Sequence, residues 1–218
     1  MRRKLMLAVL MLGVVGLVSC NKEVKEKEVK EKKINTGIDI SEINEDKIQF
    51  SSGNLDMNVY NPSVEELSEA ADVIFRGKLV GIDSYLDDWE MKSNYTFEVD
   101  EYYKGDVEES TFTINTLGGI MKEKEYKELI SKVWEIDDEK WVPDDDMYVV
   151  HGLMGMEPLD LNSEYFVYAY YYNDSYHPMY TIYGTYKKNE NGEYERFGID
   201  EGDRHTKTLE ELENSVKE

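Results

Sequence analysis

Apolar and polar side chains change rhythm several times along this chain, and each change marks an element. Tyr95, Phe97, Val99, Glu101 and Tyr103 alternate with Thr96, Glu98, Asp100 and Tyr102. A period of two puts successive side chains on opposite faces and predicts a half-buried strand. Asp72–Leu86 reads as a longer strand with Gly77 and Gly81 inside it. Glycine within a strand marks a bulge or sharp bend, as the corners of a small closed barrel require. The polar stretch Asp87–Asn94 predicts the turn between these two strands. Lys104-Gly105-Asp106 turns the chain again, and Thr111–Thr116 returns with Phe112 and Ile114 on one face. Tyr165–Tyr172 is apolar or aromatic on both faces, the pattern of a central strand covered on both sides. Asn173-Asp174-Ser175 ends it. Tyr180–Lys187 predicts a further strand, and Asn189-Glu190-Asn191-Gly192 leads into Glu193–Phe197. The Asn-Gly pair there is a strong hairpin signal.

Helical spacing appears in three places. Ser63 with Glu66 three residues on is a capping box, each side chain satisfying an otherwise unpaired amide. Val64, Leu67 and Ala71 then share one face of a short helix. Thr208 and Glu211 repeat the device before Leu209, Leu212 and Val216. Between them, residues 120–158 break the strand rhythm. Tyr126, Leu129, Ile130 and Val133 are helically spaced, and an acidic loop surrounds Trp141 and Pro143. This region reads as an insertion between strands. Lys47–Phe50 and Leu55–Tyr60 predict a hairpin around Ser51-Ser52-Gly53-Asn54.

The N-terminus follows a different logic. Arg2, Arg3 and Lys4 precede an unbroken apolar run of fourteen residues, Leu5–Val18. As a helix this run spans about 21 Å, short of a hydrocarbon core of roughly 30 Å. It has the form of a signal peptide. Leu17-Val18-Ser19-Cys20 resembles the bacterial lipobox. The resemblance implies cleavage between Ser19 and Cys20, and a lipid on the Cys20 sulfur. Acyl chains there hold a protein at the membrane, since each buried CH₂ contributes about 0.8 kcal/mol. Cys20 is the only cysteine, so no disulfide framework exists. The repeat Lys22-Glu23-Val24-Lys25-Glu26, Lys27-Glu28-Val29-Lys30-Glu31 has almost no apolar face and reads as a solvated tether.

Charge narrows the partners. The chain carries a formal −22; setting aside the +3 of Arg2, Arg3 and Lys4 and the +2 of residues 21–33 leaves −27 on residues 34–218. So acidic a body repels phosphate backbones, which argues against nucleic acid. Cations, basic proteins and neutral sugars are the compatible partners.

Chemical motifs are sparse. The three histidines, His151, His177 and His205, show no metal-ligand spacing, and neither a nucleophile elbow nor a phosphate-binding loop is present. Carboxylates are too numerous for one pair to stand out as a glycosidase acid and nucleophile. Asp137, Asp138 and Glu139, with Asp144, Asp145 and Asp146, gather hard oxygens in one loop, but the spacing of an EF-hand is absent. Tyr168, Tyr170, Tyr172, Tyr176, Tyr180, Tyr183 and Tyr186 are candidates for a sugar or peptide face, or for strand packing alone.

The order ADVIFRGKLVGI, YTFEVDEYYKGD, FTINTLGG from Ala71 to Gly119, with NSEYFVYAY and TIYGTYKK later, resembles a group of Gram-positive lipoproteins and secreted proteins. Its strand–Lys-Gly–strand unit also resembles netrin and tissue-metalloproteinase-inhibitor modules, which are OB-like barrels. The inhibitor mechanism needs a disulfide-bonded N-terminal cysteine, which the lone Cys20 does not provide. The resemblance implies fold rather than activity.

The sequence therefore predicts a mostly β (α+β) protein, with a small OB-like β-barrel, a short N-terminal helix, a helical insertion and a C-terminal helix. Residues 1–19 are expected to be the signal peptide. Residues 20–33 are the lipidated cysteine and tether, and residues 34–218 a single extracytoplasmic domain with its insertion at about 120–158. The expected function is a membrane-anchored, non-catalytic binding module for a protein or small ligand, with no cofactor, no metal site and no nucleic acid. The alternative class is a cell-envelope substrate-binding protein or a hydrolase using a carboxylate pair.

Overall fold

The computed structural model describes residues 37–53, 62–137, 140–153, 158–180, 183–196 and 206–217. The signal run, Ser19, Cys20, the tether, Leu55–Tyr60 and His205 lie outside the described residues. All described residues fall in one unit, Ile34–Glu218. In chain order its elements are β1 (Ile48–Gly53), α1 (Val64–Ala70), β2 (Val73–Asp87), β3 (Glu90–Lys104), β4 (Thr111–Leu117) and β5 (Gly119–Lys122). These are followed by α2 (Glu123–Ile130), β6 (Tyr148–Leu153), β7 (Glu164–Tyr172) and β8 (Ser175–Pro178). β9 (Thr185–Lys188), β10 (Tyr194–Arg196), β11 (Thr206–Lys207) and α3 (Leu209–Val216) complete the unit. Among the described residues the fold is mostly β with three α-helices, as the alternating pattern predicts.

The larger sheet runs β11-β10-β9-β7-β2-β3-β4, with β8 also paired to β7. β2 and β3 form its long antiparallel hairpin, from Ile74↔Lys104 to Asp87↔Glu90. The ladder shifts register at Ile74/Phe75, Arg76/Gly77 and Leu79/Gly81, so both glycines sit at bulges. At Gly77 a Cβ would fall 2.5 Å from the Glu98 carbonyl oxygen. The bend there needs the bare backbone that only glycine supplies. The turn expected at Asp87–Asn94 is only Asp88-Trp89, with Asp88 at φ 56°. Polar residues before and after it stay in strand because they pair across the sheet. Ser84 and Ser93 share a 2.8 Å hydrogen bond, and the Ser93 hydroxyl donates to the Gly118 carbonyl at 2.9 Å.

Both faces of β7 are covered, as its apolar pattern requires. On one face Tyr165, Val167 and Ala169 join Val73, Phe75, Leu79, Phe97, Phe112 and Ile114. On the other, Phe166 and Tyr168 join Ile74, Tyr186 and Tyr194 beneath α1 and α3, which contribute Val64, Leu67 and Leu212. Both capping boxes form. Ser63 Oγ accepts from the Glu66 amide, Thr208 Oγ1 from the Glu211 amide, and each glutamate returns a bond to the cap amide. α1 is further fixed by Lys104, whose Nζ donates to the Ser68 and Glu69 carbonyls at 2.8 and 3.1 Å. A cation there suits the negative end of the helix dipole. The Lys104-Gly105-Asp106 turn thus locks helix to sheet.

Three expectations change. Of the hairpin expected between 47–50 and 55–60, the second strand lies outside the described residues. β1 pairs in parallel with β6, Ile48↔Tyr148 through Gly53↔Leu153, and β6 pairs antiparallel with β5. The insertion therefore carries two strands of a second sheet, ordered β1-β6-β5, as well as α2. Met121 and Val149 of this sheet pack with Met91, Tyr126 and Leu129. Val133 lies beyond the last turn of α2 and is exposed. Of the strand expected from Tyr180, the described residues Tyr180, Tyr183 and Gly184 lie in turns and Thr185–Lys188 in strand, while β8, antiparallel to β7, is the strand that follows the Asn173-Asp174 turn. Asn173 and Asp174 have φ of 51° and 63°. Two left-handed residues match the twist of a two-residue hairpin, so the chain reverses before the predicted strand.

β8 lies alongside β4, with the Phe112 and Tyr176 rings 4.7 Å apart. Among the described residues no hydrogen-bonded ladder joins them, and the sheet is open at that seam.

Candidate functional site

The residues the sequence singles out separate into three groups. Asp138 and Glu139 lie outside the described residues, and the acidic-loop carboxylates of Asp137, Asp144 and Asp145 are engaged within the fold. Glu123, at the start of α2, is buried; its Oε1 accepts from Trp141 Nε1 at 2.6 Å and its Oε2 from the Asp144 amide at 2.8 Å. Asp145 pairs with Lys124 at 3.1 Å, Asp137 pairs with Lys140 at 2.7 Å, and Asp144 accepts from the Asp146 amide at 2.9 Å. Among the described residues no group of three or more His, Cys, Asp and Glu side chains is arranged to hold a metal ion. His151 packs its ring 5.0 Å from Tyr126, and burial lowers its pKa. His177 lies elsewhere, on β8.

The tyrosines divide sharply. Tyr168 and Tyr186 are buried beneath α1 and α3, and Tyr183 is buried as well. Burial pushes the Tyr168 and Tyr186 phenols up; the Ser215 hydroxyl beside Tyr168 and the Arg196 charge beside Tyr186 oppose it. Tyr170 is half-buried, and Tyr172 is bare. Tyr171, next along β7 and outside the expected set, is bare too, with 53% of its surface exposed. Its signal is the turn. Once Asn173-Asp174 is read as a two-residue loop, Tyr171 must face Tyr176 across the hairpin, as it does.

This hairpin tip is held in place. The Tyr171 amide donates to Asp72 Oδ2 at 2.7 Å, and its hydroxyl donates to Asp174 Oδ1 at 3.3 Å. His177 Nε2 lies 2.8 Å from Ser175 Oγ and 3.2 Å from the Tyr172 carbonyl oxygen. The two bare tyrosines point to opposite faces. Tyr172 sits beside His177, with rings 6.4 Å apart. Tyr171 extends the row of rings leaving the core: Tyr171–Tyr176 at 5.1 Å, Tyr176–Phe112 at 4.7 Å, Phe112–Tyr102 at 6.2 Å. The Tyr102 hydroxyl donates to the Glu109 carbonyl at 2.9 Å. One end of the sheet thus brings together the tip and the Gly105–Ser110 loop. That end carries Asp72, Asp106, Glu108, Glu109 and Asp174, all exposed. Its nearby cation, Lys104, is committed to the end of α1.

A second polar cluster is not legible in the sequence because its members come from six elements. Arg76 lies 3.6 Å from Glu101 Oε2, the Tyr103 hydroxyl bridges Glu101 and Glu213 at 3.1 and 3.0 Å, and Tyr194 donates to Glu164. Lys188 pairs with Glu164 at 3.2 Å. Burial pushes the Glu164 carboxyl up, but the hydrogen bonds from Tyr194 and Lys188 and the Lys188 and Arg76 charges outweigh it and leave the carboxyl below its usual value. The cluster joins α3 to β2, β3, β7, β9 and β10, and its carboxylates are already paired.

Ser19 and Cys20 lie outside the described residues. No helix among the described residues is long and apolar enough to cross a membrane. No curated protein matches the chain, and no solved structure does. Residues 2–106 match the family described as Treponema clustered lipoprotein. That span takes in the apolar N-terminal run, Cys20, the tether, α1, β2 and β3. It gives no support to a Gram-positive origin, which the sequence resemblance implied. The match is to a lipoprotein family, over the N-terminal part of the chain.

Proposed function

We propose that this chain is a lipid-anchored protein of the extracytoplasmic membrane face whose β-rich body is a non-catalytic binding module for a protein or small ligand. The observation that carries the reading is the family match, which begins at residue 2 and spans Leu17-Val18-Ser19-Cys20. Cys20 is the acylated residue and Ser19–Cys20 the cleaved bond. The Lys-Glu tether lifts the body from the lipid surface. The body is read as OB-like. β2, β3 and β4 follow in order, β7 returns beside β2, and β8 lies between β7 and β4, with the helical insertion between β4 and β7. That strand order supports reading the body as a five-stranded, partly open barrel.

The test is Cys20→Ser in the full chain, followed by detergent phase partitioning of cells. The protein is expected to move from the detergent phase to the aqueous phase and to lose incorporation of a labelled fatty acid. Retention in the detergent phase without label would contradict acylation as the anchor.

A further inference from the structure

We infer that the acid-rimmed end of the larger sheet, centred on Tyr171, docks an extended arginine- and lysine-rich segment of a partner protein. The inference rests on the binding-module reading and names its surface and the chemistry of its partner.

Shape and charge carry it together. Tyr171 is half bare although it lies on a strand whose preceding residues, Tyr165–Ala169, are fully covered. Asp72 accepts from its backbone amide and Asp174 from its hydroxyl, and its ring is backed by Tyr176, which leads on to Phe112 and Tyr102. A rigid tyrosine offers contact area at low entropic cost and presents a π face that attracts guanidinium and ammonium groups. Asp72 and Asp174 bond Tyr171, Glu109 lies beside Tyr102, and Asp106 and Glu108 are exposed on the same Gly105–Ser110 loop as Glu109. Second to desolvation, the field of two of these charges acts on the phenols. Burial and then the Glu109 charge raise Tyr102, and desolvation and then the Asp174 charge raise Tyr171. An anionic or neutral partner gains nothing from that field, whereas a cationic one is steered to it. The acidic body as a whole, −27 over residues 34–218, adds long-range attraction of the same sign.

The opposite face of the same hairpin supplies the control. Tyr172 is bare as well, at 65% exposure, but it stands with His177 and Tyr170 on the side away from the carboxylate rim. Substituting threonine at either site keeps β propensity and leaves the formal charge unchanged.

The experiment is fluorescence anisotropy of a labelled, short peptide of alternating arginine and serine, titrated with the full chain in detergent micelles. Wild type is expected to bind saturably, more tightly at low salt. Tyr171→Thr is expected to weaken binding about threefold to fivefold, as loss of one exposed cation–π contact predicts. Tyr172→Thr should leave it unchanged. The triple change Asp106→Asn, Glu108→Gln, Glu109→Gln should weaken binding and flatten its salt dependence. Equal affinity for the Tyr171 and Tyr172 variants, or no saturable binding at all, would overturn the surface. So would a soluble cello-oligosaccharide held at Tyr171 in place of the peptide. Failure on any of these counts is separable from failure of the anchoring reading, which the Cys20→Ser partition tests without any ligand.

Discussion

The two ends of β7 are built from the same residue type and do opposite things. Tyr165 and Tyr168 are fully enclosed, Tyr165 against Phe97 and Tyr168 beneath the helices. Six residues past Tyr165, Tyr171 stands half in solvent. Strand propensity and alternation are the same at both ends. What differs is the cover: among the described residues β9, α1 and α3 close over the first half of the strand, whereas the two-residue turn, β8 and Asp72 accompany the second. A tyrosine's role is thus set by what packs on it. The buried end carries stability and the bare end is free to carry recognition.

Substitution at the two ends should sharpen this contrast, beginning with the largest effect. Phe166→Ala empties a site shared by Tyr103, Tyr168 and Tyr194 and should cost about 3–5 kcal/mol in urea unfolding, the usual range for a large aromatic cut to alanine. A cost below 1 kcal/mol would mean the helices do not seal that face. Alkaline pH provides a second probe. Burial holds Tyr95 up to about 12 and raises Tyr165 and Tyr168. Their unfolded value is about 10, so these phenols contribute stability that is fully present below pH 10. That stability is lost as pH rises through the folded values. Phenolate absorbance and circular dichroism should therefore show part of the tyrosines ionising together with unfolding. Gradual ionisation of all tyrosines with intact structure would break the distinction. Thr208→Ala removes one cap of the helix that covers β7 and should cost about 1 kcal/mol, measured in the same urea titration.

Much of the fold can be read from local rules. Both capping boxes, the bulges at Gly77 and Gly81 and the double-faced strand Tyr165–Tyr172 follow from spacing and residue type alone. The second sheet was hidden because β1 and β6 pair in parallel across nearly a hundred residues, and no local period records such a partner. Asp87–Asn94 misled because polar side chains there are satisfied by one another: Asn94 and Tyr85 both bind the Asn115 amide, at 2.9 and 2.7 Å. The candidate surface was legible in part. The tyrosine run pointed to the right hairpin, but counting alternate residues passed over Tyr171. The turn geometry that pairs it with Tyr176 depends on two non-glycine residues at positive φ. The carboxylate rim comes from separate loops that only the fold brings to one end.

The smallest expected effect is the most telling. Unfolding of Tyr171→Thr in the full chain, followed by denaturant titration beside wild type, separates a recognition residue from a structural one. The account predicts a stability within about 0.5 kcal/mol of wild type, with peptide binding weakened in the same preparation. A loss of 2 kcal/mol or more with binding intact would place Tyr171 with the buried tyrosines and contradict the division of β7 into a stabilising end and a recognising end.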